Sequence, residues 1–144
     1  MRALLDVNVL IALFDPDHAF HNRAHGWWTQ NAKRGWASCP ITENGAVRIM
    51  SNPNYSKLAR FTPGDLIGRL RQFTKSTNHE FWPDDLSLLD GTILAADRIH
   101  GSRSITDIYL LALAARHHGR LATFDNAIPL SAALIVKPAN LCVV

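Results

Sequence analysis

Arg2-Ala3-Leu4-Leu5-Asp6-Val7-Asn8-Val9-Leu10-Ile11 is an apolar run broken by a single acid. It is short, rich in Leu and Val, and without clean alternation. That suits a strand buried on both faces of a parallel sheet better than a half-exposed hairpin strand. A carboxylate at the end of such a strand is costly to bury without compensation. In open α/β sheets, ligands bind outside the carboxyl ends of the strands. Asp6 is therefore expected to found an acidic, metal-binding site on which later acids converge.

The design recurs at Leu121-Ala122-Thr123-Phe124-Asp125, a second buried strand that ends in an acid. If the two strands are neighbours, Asp6 and Asp125 meet at one sheet edge. Two further acids belong to predicted helix N-termini. Ser104-Ile105-Thr106-Asp107 opens the most regular helical stretch, which runs to about His118 and ends at Gly119. Ile41 to Met50 reads as another helix, with Thr42 as N-cap and Glu43 in its first turn. Each of these two acids also has a local explanation. The helix dipole favours Glu43, and Asp107 fits a capping box with Ser104. Four carboxylates in one pocket would repel each other and resist full ionisation. A divalent cation resolves this, and oxygen-only ligands favour Mg²⁺ or Mn²⁺ over zinc. Such ions can activate a water and stabilise the departing oxygen in phosphodiester hydrolysis.

The rest of the chain frames that site. Its 144 residues suit one domain with a real core. No apolar run approaches the roughly 20 residues of a membrane span, and the N-terminus does not read as a secretory signal. A cytoplasmic location is expected. Cys39 and Cys142 read as free, small core residues. The net charge is +3, and basic residues dominate from Arg23 to Lys75, where Glu43 and Asp65 are the only acids. As a group they make nucleic-acid contact reasonable.

A weak helical pattern from Ala19 to about Ala32 carries Trp27 and Trp28 as apolar anchors, with His21 and His25 one turn apart. No third ligand completes a zinc signature there. Gly35 to Cys39 reads as a second strand. Thr62-Pro63-Gly64-Asp65 starts a helix striped by Leu66, Ile67, Leu70 and Phe73. Glu80-Phe81-Trp82-Pro83 reads as an edge strand. Leu86 to Ile99 reads as a helix, with Leu89, Ile93, Ala96 and Ile99 inward. The tail from Leu134 holds one or two short strands.

Four stretches, in order and spanning nearly the whole chain, resemble the PIN-domain family, and most of all the VapC toxins of bacterial toxin–antitoxin pairs. They are Leu5-Asp6-Val7-Asn8-Val9-Leu10; Ile41-Thr42-Glu43-Asn44-Gly45 with Arg48 and Ser51-Asn52-Pro53; Ile105-Thr106-Asp107-Ile108-Tyr109-Leu110-Leu111-Ala112; and Thr123-Phe124-Asp125. Each motif alone is weak; the four together are specific. The resemblance implies a single domain over residues 1–144 with a three-layer α/β/α fold around a mainly parallel sheet of four to five strands. It implies a Mg²⁺- or Mn²⁺-dependent endoribonuclease whose acidic site is Asp6, Glu43, Asp107 and Asp125. Asn8, Thr106 and Thr123 match polar positions beside the acids and take supporting roles. It further implies a VapB-type antitoxin that covers the site, with Trp27 and Trp28 as candidate contacts, and a homodimer that cradles RNA.

Two other readings compete. A catalytically silent RNA-binding or receiver-like module would use the acids only to bind metal. A haloacid-dehalogenase-like phosphatase also begins with an Asp after its first strand. It needs a second Asp two residues on, where this chain has Asn8.

Overall fold

Ala3–Leu5 forms β1, fully buried, and is the middle strand of a five-stranded sheet. The computed structural model describes residues 1–144. The chain continues through α1 (Val7–Phe14), α2 (His21–Asn31), β2 (Trp36–Ser38), α3 (Pro40–Met50) and α4 (Pro63–Ser76). It finishes with β3 (His79–Phe81), α5 (Ile105–Arg116), β4 (Arg120–Thr123) and β5 (Leu141–Val143). All strand pairs are parallel and the order is β3-β2-β1-β4-β5. The order reverses beside β1, so the switch point lies between β1 and β4.

The period-two alternation of β1 divides the core. Leu4 packs with Ala37, Leu121 and the apolar face of α5. Ala3 and Leu5 pack on the other side with α1, Trp36, Ala46, Met50, Leu66 and Leu70. Helices thus cover both faces, as a three-layer α/β architecture requires. Trp28 belongs to this second core, with its ring 5.0 Å from Phe73.

Local chemistry explains the boundaries. Thr62 caps α4 by accepting a hydrogen bond from Asp65 N at 3.1 Å, as its sequence predicts. Ile67, expected in the buried stripe of α4, is exposed. At α3 the cap moves three residues upstream of the expected Thr42. Pro40 takes the first helical position, where its missing N–H costs nothing. Thr42 Oγ1 accepts from Cys39 N at 3.0 Å, so Thr42 closes the cap from inside the first turn.

The helix expected over Leu86–Ile99 does not form; only a short 3₁₀ turn at Ala96–Arg98 is helical there. Asp90 Oδ1 accepts from the Thr92 backbone at 2.9 Å and its hydroxyl at 2.6 Å. Leu89 N donates to Ser87 Oγ. These local turns take the donors a helix would need. Leu94 instead bridges antiparallel to Ala133. Ile93 is inward as expected, while Leu89 is 94% exposed and Ala96 is exposed.

Gly119 ends α5 for a different reason from the usual one. The left-handed residue is His118, with φ 56°. His118 N bonds Ala115 O and Gly119 N bonds Ala114 O, which is a Schellman closure. Gly119 is needed for space: a Cβ there would lie 2.7 Å from the Arg2 carbonyl oxygen and 2.6 Å from the Trp82 ring. Gly119→Ala is expected to destabilise the fold by about 1–3 kcal/mol, read as a lower urea midpoint at unchanged slope. An unchanged midpoint would show that this crossing is loose.

Candidate acidic site

The register of β1 against β4 sets Leu5 opposite Ala122, so Asp6 follows level with Thr123. Asp6 is 7% exposed and caps α1, with Oδ1 accepting from Val7 N at 2.7 Å. Its Oδ2 accepts from the Thr123 hydroxyl at 2.7 Å. That same Thr123 oxygen accepts from Asp125 N at 3.2 Å. One buried threonine therefore ties together the two strand ends that carry Asp6 and Asp125. Asp125 Oδ1 takes a further hydrogen bond from Ala127 N.

Asp107 enters from the first turn of α5. The capping box expected with Ser104 is absent, because Ser104 has helical dihedrals and makes no cap bond. Asp107 is thus free of the local duty that would have explained it away. Its pKa is pushed up to about 6, first by burial and then by the negative charges of Asp6 and Asp125. The pKa of Asp6 is also raised, chiefly by burial, against the hydrogen bonds from Thr123 and Val7, with Asp125 adding to the rise. Asp107 therefore feels the charges of Asp6 and Asp125, and Asp6 that of Asp125.

Asp6, Asn8, Thr106 and Asp107 line one cleft of about 550 Å³, which also borders Asn44 and Arg48. Gly45 allows it to close: a Cβ there would meet Val7 Cγ2 at 2.8 Å, so α3 can lie against the start of α1. Glu43 stands apart from this group. It lines an adjoining groove between α3 and α4, with Arg48 and Arg71. Its Oε1 accepts from the Ser38 hydroxyl at 2.6 Å.

Three features escaped sequence reasoning. Asp84 lines the Asp6–Asp107 cleft, and its Oδ1 is buried without a hydrogen-bond partner. It follows β3 by three residues, so the pattern of a strand followed by an acid was present a third time. Ser38 is the second, the hydroxyl-bearing residue that ends β2. Phe20 is the third: its ring lies 4.9 Å from that of Phe124, the neighbour of Asp125, and Arg23 covers both.

The histidine pair on α2 is structural. His21 and His25 donate from Nδ1 and Nε2 to Ala12 O at 2.7 Å and Leu13 O at 3.0 Å, satisfying the last carbonyls of α1. Both cysteines are free; Cys39 is buried, Cys142 is half-buried, and burial pushes the Cys39 thiol up to about 11.

A hard dication suits the acids. The donors are all oxygen, and burial with mutual repulsion resists their joint ionisation. As the side chains stand, no three His, Cys, Asp or Glu residues converge as ligands of one ion. Mg²⁺ needs fewer, since it is commonly held by one or two carboxylates and keeps several waters.

The PIN domain family model matches residues 3–132. The chain belongs to the PIN-domain family. This PIN domain is 48% identical over 132 residues to Ribonuclease VapC44 of Mycobacterium tuberculosis, covering 92% of each chain. It is 48% identical to Ribonuclease VapC39 of the same organism, covering 92% of this chain and 94% of the relative. Ribonuclease VapC38 is 42% identical over 126 residues, covering 88% and 86%. No helix of this PIN domain is long and apolar enough to cross a membrane.

Proposed function

We propose that this chain is the toxin of a toxin–antitoxin pair, an endoribonuclease that hydrolyses RNA phosphodiester bonds with Mg²⁺ or Mn²⁺. The observation that carries the reading is the cleft shared by Asp6 and Asp107 at the carboxyl end of β1, with Thr123 linking Asp6 to the backbone of Asp125. The ribonuclease names of its close relatives support the substrate.

Asp6 and Asp107 would hold the ion, with Asp125 and Glu43 completing the acidic set. When bound, the ion would lower the pKa of a water and stabilise charge on the leaving oxygen. Thr123 fixes the Asp6 carboxylate by its 2.7 Å hydrogen bond. Asn8 and Thr106 line the cleft as polar supports. Arg48, exposed at the rim, meets the phosphate backbone, and the Phe20–Phe124 pair offers a surface for a base. A VapB-type antitoxin is the partner that restrains the enzyme, and two copies of the chain pair into a dimer.

The test is incubation of the purified chain, free of antitoxin, with total bacterial RNA plus Mg²⁺ or Mn²⁺. EDTA and Asp6→Asn samples run beside it. Discrete cuts with 5′-phosphate ends, lost in both controls, are expected. Bound Mn²⁺ without any cut would move the assignment to a silent binding module.

A further inference from the structure

Ser38 ends β2 and is fully buried. Its hydroxyl oxygen lies 2.6 Å from Glu43 Oε1 and 2.8 Å from Nε2 of His79, the first residue of β3. A serine hydroxyl owns one proton, and an ionised carboxylate can only accept. The proton of Ser38 therefore goes to Glu43. The contact with His79 then needs a proton from the ring, so Nε2–H donates to the Ser38 oxygen. The chain runs in one direction, from His79 Nε2–H to Ser38 Oγ–H to Glu43 Oε1.

The surroundings favour a neutral imidazole with a fixed orientation. The His79 ring lies 4.4 Å from the Trp36 ring. Burial, and after it the charge of Arg2, lowers the His79 pKa against the opposing pull of Glu80. Glu43 makes no other side-chain hydrogen bond within the chain. Nothing else fixes its carboxylate.

We propose that Ser38 and His79 are positioning residues that hold the Glu43 carboxylate in place at the edge of the acidic site. The proposal rests on the reading of Glu43 as one of the site's acids.

Two measurements on the full chain test it. The first is the ring ¹⁵N spectrum of His79 in the metal-free protein. A neutral ring protonated on Nε2 is expected, with its resonances shifted in Ser38→Ala. A proton on Nδ1 instead would reverse the chain and overturn the proposal. The second is cleavage of a short RNA spanning a mapped cut, with Mn²⁺. Ser38→Ala is expected to lower kcat by about 10–100-fold at unchanged KM. His79→Gln, which keeps an N–H donor, is expected to recover most of what His79→Leu loses. In a Glu43→Gln background, Ser38→Ala should add no further loss, because the group it positions is already gone. Full activity of Ser38→Ala, or a loss that multiplies with that of Glu43→Gln, overturns the proposal. Full activity of Glu43→Gln alone is a different result: it removes Glu43 from the site and takes the positioning role with it.

Discussion

Asp107→Asn is expected to lower RNA cleavage by roughly a thousandfold or more while making the metal-free fold more stable. The two effects share one cause. Asp107 makes no hydrogen bond within the chain and does not cap its helix in a box with Ser104. What its charge does in the metal-free protein is repel Asp6 and Asp125 from a partly buried position, which pushes its pKa up to about 6. Replacing the carboxylate by an amide of the same shape removes that repulsion. On the proposed function it also removes a ligand oxygen, and transition-state charge stabilisation by a bound ion is worth several kcal/mol, at about 1.4 kcal/mol per tenfold in rate. A residue that served only to start α5 would behave oppositely, with activity kept and stability lost.

Asp6→Asn separates the roles within a single side chain. Asparagine is as good an N-cap as aspartate, so α1 should keep its start, while cleavage falls as far as in Asp107→Asn. Cleavage by total-RNA mapping and melting by circular dichroism, both on metal-free and Mn²⁺-loaded protein, read the two variants together. Retained cleavage in either one would remove that carboxylate from the site.

The two strands that end in acids were legible because burial leaves a plain mark. A run such as Leu4-Leu5 or Leu121-Ala122 has no polar alternation, and an acid at its end has no packing reason to be there. Their adjacency follows from the parallel register that pairs Leu5 with Ala122. The stretch from Leu86 to Ile99 misled because its apolar spacing suits a helix, while Ser87 and Asp90 spend their side chains on local turns. Hydrophobic period cannot see that competition. Asp84 is hard to see because it lies past Pro83, where the expected edge strand stops, and three residues beyond the observed β3. Ser38 was invisible because its importance depends on His79, 41 residues away, which only strand pairing brings near.

Metal and pH should act on stability through the same two carboxylates. Asp6 and Asp107 have folded-state pKa values raised above those of the unfolded chain. Through Asp107 the folded state therefore binds more protons than the unfolded state between pH of about 4 and about 6, and Asp6 acts in the same direction. Stability contributed by these groups is lost as pH rises through that window, and the metal-free melting temperature should fall toward neutral pH. His79 acts in the other sense, since its lowered pKa makes acid costly to the fold. The difference between the native chain and Asp107→Asn isolates the acidic site from it. Metal binding needs the carboxylates ionised, so the stabilisation by Mn²⁺ should be small at pH 4.5 and full at pH 7.5. At about 100 times its dissociation constant it amounts to about 2.7 kcal/mol, or roughly 5–10 °C for a chain of this size. In Asp107→Asn both the pH slope and the Mn²⁺ shift should shrink. A native chain whose melting temperature ignores Mn²⁺ at pH 7.5, or rises equally at pH 4.5, would mean that these acids are not a metal site.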